Sequence, residues 1–116
     1  MTPREKIVLV LVTAPSMKAG RTIAHAALQT KLVACVNIIP QIESHYWWQG
    51  KIESAREVLL LLKTTNAKLA ALERLILSKH PYQTPEFIAL QISTINKNYA
   101  HWLVESVTGP ARPQHG

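Results

Sequence analysis

Residues 33–48 and 51–65 read as two long strands separated only by Gln49-Gly50. That pairing limits the fold more than any other feature of this 116-residue chain. A strand of about 15 residues spans roughly 50 Å at about 3.3 Å per residue. A globule of this length has a radius of gyration near ~13 Å, hence a diameter of roughly 35 Å. The hairpin must therefore either break at Pro40, which cannot donate to a ladder, or project beyond the body. Its tip carries Tyr46, Trp47 and Trp48. Exposed rings and unpaired strand edges are a liability in water unless something covers them. The expectation is a homo-oligomer with cyclic closure.

The remaining elements follow from periodicity. Residues 6–13, KIVLVLVT, form a β-branched apolar run that suits a central strand covered on both faces. Ser16 can cap a helix over 16–31, in which Met17, Ile23, Ala24, Ala27 and Leu28 recur at helical spacing. Gly20 inside that helix costs about 1 kcal/mol of helicity against alanine. Val58 to Leu62 lacks alternation, so that half of its strand is also expected to be covered on both faces. Asn66 is the expected cap of a helix over 67–79, with Leu69, Leu72, Leu75 and Ile76 as its buried stripe and Pro81 as its stop. A strand over 86–92 and a helix over 97–107 follow, the latter with Tyr99, Trp102, Leu103 and Val107 near one face. The order is β-α-β-β-α-β with an extra C-terminal helix. This predicts an α+β, ferredoxin-like sandwich with helices on one face of an antiparallel sheet. One domain over 1–108 and a frayed tail over 109–116 complete the expectation.

Composition excludes several function classes. The 13 Lys and Arg against 7 Asp and Glu are scattered rather than clustered, so the charge of +6 reads as an ordinary soluble surface. The strands KIVLVLVT and VLLLL lack the aromatic and basic signature of an RNA-binding sheet, so no nucleic-acid partner is expected. No run is long and apolar enough to span a membrane. The apolar stretch Ile7 to Val12 reads as a strand rather than a leader. A lone cysteine, Cys35, excludes an internal disulfide and fits a reducing, cytoplasmic setting. Gly20, Gly50, Gly109 and Gly116 stand too far apart to form a phosphate-binding loop. No nucleophile motif or paired-carboxylate motif points to an enzyme.

The stretch KHPYQTPE, residues 79–86, sits at the seam of two elements. Pro81 stops a helix and Pro85 leads into a strand. Between them Tyr82 packs while its hydroxyl needs a partner, and Thr84 and Glu86 are held where they can line a cleft. His80 lies at a helix C-terminus, where the dipole favours a cation; as a metal ligand it would supply a neutral imidazole nitrogen. Cys35 reads either as a small apolar filler or as a soft ligand for a thiophilic metal. Glu57 and Lys63 bracket the Val58–Leu62 run, and each either reaches solvent or needs a partner; Lys63 is grouped with Tyr82, Thr84 and Glu86 as a cleft or ligand-binding candidate. Tyr46, Trp47, Trp48 and Trp102 are the candidates for subunit contacts, with a stacking platform as the alternative use.

The segments VACVNIIPQIESHYWWQGKIE, EVLLLLKTT, KHPYQTPEFIAL and YAHWL together resemble the CutA divalent-cation tolerance family, from about residue 8 to residue 104. The motifs A-C-V-N-x-x-P, Y-x-W-x-G-K, K-T and H-P-Y-x-x-P-E occur in the family's order. The resemblance implies a ferredoxin-like homotrimer, architecturally similar to the PII signalling proteins. It implies a role in the response to metal ions without an enzymatic activity. It brings no obligatory cofactor, with copper or another divalent metal as the candidate ligand; animal relatives are linked to anchoring of acetylcholinesterase. It also suggests that Cys35, Glu57 and His80 approach a common cleft between subunits. Where some bacterial members carry a cysteine and a second histidine, this chain has Val12 and Lys79, and its loop before the last helix lacks the usual glycine. The alternative reading is a PII-like signalling or scaffold trimer that takes a small ligand or protein in its intersubunit clefts.

Overall fold

The computed structural model describes residues 5–109. The strands and helices are β1 (Ile7–Ala14), α1 (Met17–Gln29), β2 (Cys35–Trp48), β3 (Lys51–Thr65), α2 (Leu69–Lys79), β4 (Ile88–Gln91) and α3 (Lys97–Val107). The four strands form one sheet in the order β2-β3-β1-β4, and every neighbouring pair is antiparallel. This is the predicted α+β, ferredoxin-like arrangement. The expected tail beyond Gly109 lies outside the described residues.

Sheet alternation decides where the core sits. Val8, Val10, Val12 and Ala14 of β1 and Val58, Leu60, Leu62 and Thr64 of β3 point to one face and are fully or almost fully buried. That face packs on Ile23 and Ala27 of α1 and on Leu72 and Ile76 of α2. Ser16 caps α1 as expected, accepting from the Ala19 amide at 3.1 Å. Gly20 is explained by contact rather than by turn chemistry. A Cβ there would stand 3.1 Å from Val58 Cγ2, so its absence lets α1 settle directly onto β3.

The other face of the sheet departs from the expectation of cover on both sides. Leu9, Leu11, Leu59 and Leu61 point to it and are only half-buried. Ile88 and Leu90 of β4 are 45% and 47% exposed beside them. Helix α3 covers only one end, where Ala100 and Leu103 bury Ile7. The strands are apolar on both sides, but the described elements supply cover for one.

The hairpin resolves the length conflict in both ways at once. Its tip projects, stretching the molecule to 50 Å along its longest axis with a radius of gyration of 15.1 Å. It is also interrupted, by a β-bulge between Ile39 and Ile42. Pro40 has no amide hydrogen to give, and Gln41 takes a left-handed φ of 58°. Gln49 and Gly50 then close the hairpin, both at positive φ, as a two-residue turn of this hand requires.

Two boundaries differ from expectation. Asn66 does not cap α2. It opens a single 3-10 turn, Asn66–Lys68, and its side chain instead accepts from Gln91 Nε2 at 3.4 Å. Strand β4 is shorter than predicted, because the segment after Pro85 stays irregular until Ile88 meets Leu11.

Candidate functional site

The bulge builds the site. Before it, Ile39 faces Leu59; after it, Ile42 faces Glu57. One extra residue on β2 exchanges the two faces of everything beyond it. Ser44, Tyr46 and Trp48 thereby share the side of the ribbon that carries Glu57, while Trp47 and its cross-strand partner Ile52 take the opposite side. Opposite the ribbon, the segment 81–86 crosses the end of β1 on its way to β4. Between ribbon and segment lies a cleft of about 880 Å³ lined by Thr13, Ser44, His45, Tyr46, Trp47, Trp48, Glu57 and residues 81–86.

A short relay holds the segment in place. The Thr13 carbonyl lies 2.6 Å from His80 Nε2, and the Tyr82 amide donates to His80 Nδ1 at 3.0 Å. An amide can only donate and a carbonyl can only accept, so Nδ1 presents its lone pair and Nε2 carries the proton. The Tyr82 hydroxyl in turn donates to Glu57 Oε2 at 2.8 Å. Two questions left open by the sequence thus answer each other. The carboxylate that opens an apolar run and the phenol between two prolines are partners. Burial, followed by the bond to Glu57, pushes the Tyr82 hydroxyl up to about 12. Burial, followed by the charge of Glu57, raises the Glu86 carboxyl above its ordinary range.

The predicted site residues divide into three places. Glu57, Tyr82, Thr84 and Glu86 line the cleft, together with Tyr46, Trp47 and Trp48. His80 supports the cleft from behind. Lys63 is not part of it: its ammonium sits 5.8 Å from the centre of the Tyr99 ring, under α3, and Trp102 lies against that same ring. Cys35 pairs with Lys63 in the ladder, six positions along β3 from Glu57 and so roughly 20 Å away. Its thiol lies 3.8 Å from Asn37 Oδ1. One chain therefore does not bring Cys35, Glu57 and His80 together. Among the described residues no three His, Cys, Asp or Glu side chains converge to hold a metal ion. Neither ring nitrogen of His80 has a lone pair to spare in this arrangement. The sequence marked the three tip aromatics for subunit contacts, with a stacking platform as the alternative; their place in the cleft depends on the single bulged residue, which Pro40 signals.

Comparison with known proteins agrees with this geometry. Residues 8–106 match the family model described as the CutA1 divalent ion tolerance protein. The divalent-cation tolerance protein CutA of Thermus thermophilus is 44% identical over 98 residues, covering 84% of this chain and 95% of that one. Its solved structure superimposes with a TM-score of 0.85 over 86% of this chain and 97% of that one, at 43% identity. A rice relative described as chloroplastic is 44% identical over 85% of this chain, which spans only 56% of that protein's length. The structure of a relative from Archaeoglobus fulgidus, described as periplasmic, gives a TM-score of 0.86 at 38% identity, covering 88% of this chain and 99% of that one. With the fold, the bulged hairpin and the H-P-Y-x-x-P-E segment accounted for, the chain belongs to the CutA1 divalent ion tolerance family.

Proposed function

We propose that this protein acts in divalent-cation tolerance as a homotrimer, without an enzymatic step, and that its working surface is the cleft beside the projecting hairpin. The observation that carries the reading is the open side of the sheet. Leu9, Leu11, Leu59, Leu61, Ile88 and Leu90 form a continuous apolar surface that no described element covers. A patch of this kind marks a protein contact. Three copies related by a rotation would bury it with identical contacts in each; the number three is the one implied by the family resemblance. The exposed pair Trp47 and Ile52 on the far side of the hairpin extends the surface available to a neighbouring copy.

Direct coordination of copper or another divalent metal is a finer part of the same proposal. The chain alone does not fit it. Association would have to place Cys35 of one copy near Glu57 of another, and His80 would have to release Thr13 or Tyr82. Calorimetric titration with Cu(II) and Zn(II) on the wild type, Cys35→Ser and His80→Ala tests those ligands; identical heats in all three proteins reject them. The tolerance role itself is tested by growth of cells lacking the gene in excess copper or zinc. Restoration by the wild-type protein supports it, and no difference from the empty control rejects it. A cytoplasmic address belongs to the proposal too. No described helix is long and apolar enough to cross a membrane, and relatives described as chloroplastic or periplasmic place the fold in other compartments. Cell fractionation decides it.

A further inference from the structure

The cleft carries a charge opposite to that of the molecule. The chain has 13 Lys and Arg against 7 Asp and Glu, yet among the described residues no Lys or Arg lines the cleft, whereas Glu57 and Glu86 both do. Glu57 is 8% exposed, and the hydrogen bond it accepts comes from a neutral phenol. A carboxylate this enclosed without a counter-charge is costly unless a cation arrives. Around the two carboxylates stand the rings of Tyr46, Trp48 and Tyr82. Aromatic faces attract weakly hydrated cations carried on carbon, and they do little for a small hydrated metal ion. The described residues also provide no three-ligand cluster that such a metal needs. The volume of about 880 Å³ is that of a small-molecule site.

We infer that the cleft binds an organic cation, an amidinium, guanidinium or alkylammonium on an apolar skeleton. Its charge is met by Glu57 and Glu86, and its carbon body lies against Tyr46, Trp48 and Tyr82. A planar amidinium or guanidinium could engage a carboxylate through two parallel hydrogen bonds. The inference stands on the geometry of one chain and does not depend on metal coordination. Glu57, Leu59 and Leu61 alternate onto one face of β3, so the cleft lies on the same side of the sheet as the open apolar surface and a neighbouring copy seated there would border it.

The test is calorimetric titration of the full-length protein with benzamidine and with benzamide, its uncharged isostere, in low-salt buffer. Light scattering on the same sample fixes the species titrated, so loss of binding and loss of assembly are read separately. Saturable binding of benzamidine at least tenfold tighter than benzamide is expected, weakened at least tenfold by Glu57→Gln and also by Trp48→Leu. Trp48 is half-exposed, so that second variant keeps the test valid if Glu57→Gln unfolds the chain. Equal binding of the two compounds would make the cleft merely apolar and overturn the inference. So would the absence of benzamidine binding at millimolar concentration, or binding of Zn(II) but not benzamidine with dependence on Glu57.

Discussion

Replacing Tyr82 with phenylalanine removes one oxygen and tests how the cleft is held. The phenol donates at 2.8 Å to a carboxylate that is 8% exposed. A hydrogen bond to a charged group contributes about 1.5–3 kcal/mol. The Tyr82 side chain is 36% exposed, so water can partly replace the lost donor. The lower end, about 1.5 kcal/mol, is therefore expected. For a domain of this size that lowers the melting temperature by roughly 5–8 °C. The pH dependence supplies an independent check. The phenol's folded-state value lies above its unfolded one, raised from 10.0 to about 12. Its contribution is thus fully present below pH 10 and is lost as pH rises toward 12. The stability gap between wild type and Tyr82→Phe should be constant from pH 7 to 9 and shrink above pH 10. Urea denaturation at fixed protein concentration measures it, because association would otherwise shift the midpoints. A Tyr82→Phe protein as stable as wild type, or a gap that does not close in alkali, would refute the relay from Thr13 through His80 and Tyr82 to Glu57.

Other outcomes follow from the same geometry. Spectrophotometric titration should show a late-ionising phenol, and Tyr82→Phe should remove that late step. Gly20→Ala gains about 1 kcal/mol of helix propensity but presses a methyl against stiff, buried Val58 at 3.1 Å, so a net loss of about 1 kcal/mol is expected by thermal denaturation. Leu90→Lys leaves the fold of the chain almost untouched but weakens association. About half of each leucine, worth about 1 kcal/mol, is still available for burial, which gives about 3 kcal/mol over three copies and roughly a hundredfold shift or more. Sedimentation across a dilution series reads that shift.

The hairpin was legible because Gln49-Gly50 stands between two apolar runs too long for the body. The first helix was legible because Ser16 and the Ile23, Ala24, Ala27 spacing agree. The face on which Tyr46 and Trp48 emerge was not, since one bulged residue after Pro40 reverses it and no period reveals where a bulge falls. Asn66 looked like a cap because its side chain suits that role; Gln91, brought close by the β1–β4 pairing, claims it instead. Glu57 and Tyr82 were each marked as needing a partner, but they are 25 residues apart and meet only because segment 81–86 crosses the end of β1. The apolar runs of β1 and β3 signalled cover on both faces, whereas the described elements cover only one of them. Lys63 was grouped with the cleft by its place at the end of such a run, yet ladder register sets it under α3.

The central claim is that the open side of the sheet, from Leu9 to Leu90, is buried between copies of this chain. Light scattering coupled to size exclusion at micromolar concentration measures this most directly. A single species of about three times the 13.0 kDa chain mass is the predicted result. A folded, soluble species of one chain mass, stable on storage with that surface in water, would contradict it.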